Sequence, residues 1–186
     1  TTLSVRADDD PNRQLDSRLS FFEPMFFAVG DGSDANANMQ LSFKLRLYES
    51  RDKTSRDFVD NMYFGYTQSS FWDLTSYSKP FIDTNYMPSF FYYIPNTDWR
   101  VDGNAVGFAA GIEHESNGKD GSNSRSVDLL YIQPAWRADF DDGNSLIFAP
   151  RFYSYPDKIE NRDIARYRGY TDWLLRYGDE NEWVLS

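Results

Sequence analysis

Residues 105–116, Ala-Val-Gly-Phe-Ala-Ala-Gly-Ile-Glu-His-Glu-Ser, and 126–136, Ser-Val-Asp-Leu-Leu-Tyr-Ile-Gln-Pro-Ala-Trp, decide the fold. Both alternate in polarity, and the loop between them is rich in Asn, Gly, Asp and Ser, so two β-strands joined as a hairpin are expected. On the first strand Val106, Phe108, Ala110, Ile112, His114 and Ser116 share a face, with Glu113 and Glu115 on the other. On the second, Asp128, Leu130, Ile132, Pro134 and Trp136 share a face. His114 is the only histidine in the chain. Two residues of strand separate it from Ser116 by about 6.6 Å, a gap that an imidazole reaching toward a hydroxyl can bridge. Asp128 can stand on the other side of the ring. Serine, histidine and a carboxylate are the groups that base-assisted acyl transfer requires. They lie on the apolar face of both strands, which in a soluble sandwich would be core and in a membrane barrel would face lipid.

The same period runs outward along the chain. Residues 39–48 give the cleanest alternation: Met39, Leu41, Phe43, Leu45 and Leu47 point one way, Gln40, Ser42, Lys44 and Arg46 the other. A first strand is expected over about 17–29, interrupted near Pro24, with a turn cluster at 30–38. A third strand is expected over 58–72, with Met62, Phe64, Tyr66, Gln68 and Trp72 outward. A fourth spans 85–94, and the hairpin pair 105–117 and 126–138. A seventh covers 145–155, with Leu146, Phe148 and Phe152 outward and Arg151 inward. The eighth is expected over 164–177, with Tyr167, Trp173, Leu175 and Tyr177 outward and Arg166, Arg168, Asp172 and Arg176 inward. Inward arginines would meet Glu113 and Glu115, pairing charge that would otherwise be buried alone. Residues 181–186 start a ninth strand.

Composition agrees with a membrane barrel and excludes other classes. Aromatic residues make up 18% of the chain, which suits the aromatic girdles of outer-membrane barrels. A mean hydropathy of −0.66 leaves no apolar run of about 20 residues, so helical spans are excluded. A formal net charge of −10 with no basic stripe argues against a nucleic-acid partner. The absence of cysteine is compatible with the bacterial envelope. Residues 1–16 are polar and read as a loosely held leader ahead of a single barrel domain at 17–186. No signal-peptide pattern stands at the start, so a mature form is expected.

Three motifs then carry a resemblance. His-Glu-Ser-Asn-Gly with Ser-Arg-Ser-Val-Asp after it, Tyr-Thr-Gln-Ser-Ser-Phe-Trp at 66–72, and Pro-Phe-Ile-Asp-Thr-Asn-Tyr-Met-Pro at 80–88 resemble the outer-membrane phospholipase A family. The likeness runs from about residue 18 to about 140. It implies a twelve-stranded antiparallel transmembrane β-barrel in the bacterial outer membrane, of which this chain would cover about eight strands as an N-terminal portion. Eight strands and a stub do not close neatly, so an open sheet is expected. The resemblance also implies calcium-dependent hydrolysis of glycerophospholipid acyl esters by a phospholipase A1/A2-type esterase activated as a homodimer. In that reading Ser116 is the nucleophile, His114 the base, Gly118 the oxyanion N–H donor and Gln68 the support of the third triad member. The Lys119 carbonyl and Ser124 hydroxyl bind calcium with Ser78 of a second copy. Asp128 stands where the family pattern has asparagine. Two other readings remain at this point: a non-enzymatic porin-like barrel and a soluble β-sandwich esterase.

Overall fold

The computed structural model describes residues 18–30, 35–50, 58–78, 81–97, 99–179 and 183–185. The expected leader at 1–16 lies outside them. The fold is one antiparallel sheet of strands β1 (Leu19–Ser20), β2 (Phe26–Val29), β3 (Asn36–Arg46), β4 (Met62–Asp73), β5 (Phe81–Ile94), β6 (Arg100–Val101), β7 (Asn104–Ser116), β8 (Ser126–Asp139), β9 (Ser145–Asp157), β10 (Thr171–Asp179) and β11 (Trp183–Leu185). Its order is β1-β3-β4-β5-β7-β8-β9-β10-β11, with β2 also on β3 and β6 on β7. From β3 to β11 the long strands follow one another in space as they do in sequence, with only the short β2 and β6 off the path, the up-and-down meander that short loops and alternating strands dictate. The two ends of this path do not pair among the described residues, so the sheet is open, as expected from eight strands and a stub.

The break at Pro24 has a clear physical basis. β1 and β2 both lie on β3, and residues 21–25 between them leave the ladder. Their backbone groups are taken up by inward side chains of β3: Lys44 Nζ donates to the Phe21 carbonyl (2.7 Å), Gln40 Nε2 to the Pro24 carbonyl (2.8 Å), and the Glu23 N–H to Ser42 Oγ (3.0 Å). Polar residues of β3 thus satisfy a segment that proline keeps from pairing. The segment also sends Phe22 into the concave side, stacked on Phe91 at 4.8 Å. Gly65 makes room for it: a Cβ there would lie 2.8 Å from the Phe22 ring.

The concave side is a packed layer rather than a plain polar lining. Tyr63, Phe91, Ala109, Leu129, Tyr131 and Tyr153 cluster there, with Phe22, Tyr93 and Tyr155 against them. Charge is threaded through that layer in pairs. Arg151 meets Glu113 at 2.9 Å, lies over the Tyr131 ring at 3.8 Å and approaches Glu23 at 3.9 Å. The contact between Glu23, in the segment that crosses β3, and Arg151 on β9, far from β3 in the sheet order, shows how strongly the sheet curls.

The convex side carries Leu41, Phe90, Ile112, Leu130, Ile132, Phe152, Trp173 and Leu175, all exposed. Ile112 is 55% and Leu130 53% exposed, while Leu129 between the strands' inner layer is 1% exposed. No second sheet covers this face among the described residues, which removes the β-sandwich reading. An exposed apolar belt of this extent on one curled sheet fits lipid contact.

The expected eighth strand is corrected in its first part. Residues 164–168 form a short helix, α1 (Ile164–Arg168), ended by Gly169 at φ 75°, and the strand begins at Thr171. Five residues of Ile-Ala-Arg-Tyr-Arg are favourable to helix and too few to show a period. As a result Arg166 is exposed, contrary to the inward position expected, and Arg168 reaches inward from a helix rather than from a strand.

Candidate active site

β7 and β8 pair over their whole length, with His114 opposite Asp128 and Ser116 opposite Ser126. The flanking ladders are irregular at the same level. β5 and β7 pair from Ile94↔Phe108 to Ser89↔Glu113 and again at Tyr86↔Ser116, and in this register Pro88, which has no N–H, faces His114. On the other side, β8 and β9 shift register between Asp128 and Leu130. Such irregularities re-aim side chains where a regular pleat would fix them.

His114 Nδ1 lies 2.7 Å from Asp128 Oδ1. Both side chains are about half exposed on the convex, apolar side. Asp128 on Nδ1 selects the tautomer that leaves Nε2 without a proton, free to act as a base. Ser116 stands two residues along the same face, and its Oγ accepts a hydrogen bond from the Gly118 N–H at 3.2 Å. Among the described residues no hydrogen bond joins Ser116 to the imidazole; catalytic bonds of this type commonly tighten only with substrate in place. Gly118 has φ 66°, and a Cβ on it would lie 2.9 Å from the Tyr86 ring.

The loop after Ser116 is organised by its first residue, which the strand period alone does not single out. Asn117 is buried. Its Oδ1 accepts from the Arg125 N–H (3.0 Å) and the Lys119 N–H (3.3 Å), and its Nδ2 donates to the Asn123 carbonyl (2.9 Å). From the neighbouring strand, Asp83 meets Lys119 and Arg125, each at 3.3 Å. From the β9–β10 loop, Glu160 accepts from Ser124 Oγ (2.6 Å) and Ser126 Oγ (3.0 Å). Those two hydroxyls hold the Glu160 carboxyl below the usual carboxylate range. Asp83 falls within the 80–88 motif and Glu160 within no motif, and the role of each depends on strand neighbours and loop placement.

Gln68 is not where the triad would need it. It sits on β4, with β5 and β7 between it and Asp128 on β8. Its Oε1 accepts from Tyr66 O–H (3.0 Å) and its Nε2 donates to Ser70 Oγ (3.4 Å). Neighbouring strands lie about 4.8 Å apart, so within one chain Gln68 cannot support Asp128. Ser78 lies exposed at φ 71° in the β4–β5 turn, at the same end of the sheet as Lys119 and Ser124.

Residues 2–185 match the family described as phospholipase A1. The chain belongs to the phospholipase A1 family. Among curated relatives of that family, the putative phospholipase A1 of Neisseria meningitidis serogroup B is 34% identical over 157 residues, 80% of this chain and 39% of the relative. The phospholipase A1 of Escherichia coli K12 is 35% identical over 115 residues, 60% of this chain and 38% of the relative. The chain therefore spans about four-tenths of the length of these relatives. Among solved structures, outer membrane phospholipase A from Escherichia coli superposes with a TM-score of 0.60 at 28% identity, over 77% of this chain and 54% of that one. The Salmonella typhi outer membrane phospholipase dimer with bound calcium gives 0.57 at 28% identity, over 78% and 54%. The curled sheet thus matches part of the barrel of outer membrane phospholipase A.

Proposed function

We propose that this chain carries the catalytic groups of a bacterial outer-membrane phospholipase that hydrolyses acyl esters of glycerophospholipids. The hydrogen bond of His114 to Asp128 on a lipid-facing surface, with Ser116 two residues on, is the observation that carries the proposal. A triad on the apolar side of a soluble protein would meet no substrate; here the surrounding lipid is the substrate. A porin-like barrel would have no need of a carboxylate and an imidazole paired on that side, where a charged group is expensive.

In this reading His114 Nε2 takes the proton of Ser116 Oγ as the oxygen attacks the acyl carbonyl carbon. The carbonyl oxygen becomes an oxyanion, which the Gly118 N–H stabilises once it turns from Ser116 Oγ toward it. The imidazolium, held by Asp128, returns the proton to the leaving glycerol oxygen and a lysophospholipid departs. Water, deprotonated by the same nitrogen, attacks the acyl-enzyme ester and releases the fatty acid, with the serine reprotonated.

The residues near this site fit calcium. Ser124 and Ser126 hydroxyls converge on the Glu160 carboxylate, a hard-oxygen set of the kind that calcium prefers. The Lys119 carbonyl and Ser124 hydroxyl would hold the ion with Ser78 of a second copy, and bound calcium would add positive charge beside the developing oxyanion. Activity of the full-length protein in mixed micelles is expected to vanish with a chelator and return with calcium but poorly with magnesium, which demands tighter octahedral geometry. Chelator-insensitive turnover would remove calcium from the mechanism.

Asp128 is the residue that departs from the family pattern, and its replacement is informative. Asp128→Asn is expected to keep activity within about tenfold, roughly 1.4 kcal/mol. Asparagine still offers an oxygen to Nδ1–H, so the ring keeps its orientation while losing only the charge of the carboxylate. Asp128→Ala leaves the ring without orientation or charge stabilisation and should lose far more. Wild-type rates for the alanine variant would reduce the triad to a dyad.

A further inference from the structure

The catalytic strand is held on its concave side by an ion pair that the reaction itself does not use. Glu115 lies between His114 and Ser116 and points inward. Its carboxylate meets Arg168 Nη1 at 2.5 Å, with both side chains about three-quarters buried. Arg168 is itself fixed. Its guanidinium lies 5.3 Å from the centre of the Tyr153 ring, and its backbone carbonyl accepts from Tyr153 O–H at 3.3 Å. The next carbonyl, of Gly169, accepts from Tyr155 O–H at 2.8 Å. Two tyrosines of β9 thus anchor the end of α1, and α1 delivers one cation to the strand that bears the site.

This tie falls where backbone support is weakest. The β5–β7 ladder lapses between Glu113 and Ser116, opposite Pro88 and Met87. Over His114 and Glu115 the strand therefore has ladder pairing only on its β8 side. A strand with one free side can rock about the other. A shift of about 1 Å at reacting groups is enough to cost on the order of a hundredfold in rate. We infer that Glu115 and Arg168 are a positioning pair, which holds the backbone between His114 and Ser116 against this rocking and so sets the aim of both catalytic side chains. The inference rests on the roles given to His114 and Ser116 above.

Neither residue touches substrate, so the test needs a readout that fold loss alone would not give. Because His114 is the only histidine, a proton–nitrogen correlation spectrum of the full-length protein in detergent micelles reports one imidazole. In the wild type it should show a single tautomer with the proton on Nδ1. In Glu115→Gln and Arg168→Gln the tautomers should mix, and kcat for micellar phospholipid should fall about tenfold with KM within about twofold. Arg168→Lys keeps a cation for a one-point contact and should stay within about threefold of wild type. A single neutralisation also leaves one charge buried alone. The double variant Glu115→Gln with Arg168→Met removes both charges, and it should keep the wild-type heat-shifted mobility on gels while still showing mixed tautomers and the lowered kcat. A wild-type imidazole spectrum and wild-type kcat in the double variant would overturn the inference. Mixed tautomers in a protein whose wild type hydrolyses no ester would sustain the positioning role and sink the phospholipase reading instead.

Discussion

Ser116→Ala is expected to lower phospholipid hydrolysis by roughly ten-thousandfold or more, measured as fatty acid released by the full-length protein in mixed micelles with calcium. The size follows from the loss of covalent catalysis: His114 and Asp128 remain, but no oxygen is left to attack the carbonyl. The structure also offers a competitor that makes the experiment sharp. Ser126 is the cross-strand partner of Ser116 and is equally a hydroxyl at the top of the hairpin. Its Oγ, however, donates to Glu160 at 3.0 Å, a carboxylate held below its usual range by the Ser124 and Ser126 hydroxyls and so a weak base. Ser126→Ala should therefore cost far less than Ser116→Ala. The reverse ranking would move the nucleophile to the other strand and with it the whole assignment.

Gly118→Ala carries the second large effect, about a hundredfold to a thousandfold in kcat, the range for loss of an oxyanion donor. Two separate faults combine. The position has φ 66°, where a side chain is strained, and the added Cβ would lie 2.9 Å from the Tyr86 ring. Relief of either fault alone does not restore the N–H to its place beside Ser116. Combining Gly118→Ala with Tyr86→Ala removes the clash and keeps the backbone strain, so activity should recover only in part. Full recovery would show that the ring contact alone matters, and an unimpaired Gly118→Ala would take this N–H out of the oxyanion role.

Much of this was legible from period alone. The alternation at 39–48 and 105–116 fixes which residues face lipid, and Leu41, Ile112, Leu130 and Ile132 are exposed accordingly. His114, Ser116 and Asp128 share the convex side because a strand's period is two. Ion pairing of Glu113 and Glu115 with inward arginines was also foreseeable, since lone charges there would be costly. What period does not encode is the number of strands between two residues. Gln68 shares the outer face with the triad and still lies three strands from Asp128. Nor does it encode how loops return: Glu160 reaches the loop after Ser116 from the β9–β10 connection, a placement with no local signature. The 164–168 segment failed for another reason. Five residues cannot distinguish a period of two from one of 3.6, and Gly169 ends the helix before a pattern forms.

The concave layer has a consequence for how the chain assembles. Hairpin neighbours such as β7 and β8 lie close in sequence, and little entropy is lost in bringing them together. Glu23 and Arg151, by contrast, come from near opposite ends of the described chain and meet only after the sheet has curled. Phe22 likewise has its place on Gly65 and Phe91 only once β3, β4 and β5 are side by side. The strands are thus set by local contacts and the interior by distant ones, and distant contacts form slowly. The convex belt is therefore expected to form strand by strand, and the interior behind the site to close last. On the proposed function, a nascent barrel of this kind would present His114, Ser116 and Asp128 to lipid before it had the rigidity to use them, and hydrolysis would begin with the closing of the inside rather than with arrival in the membrane.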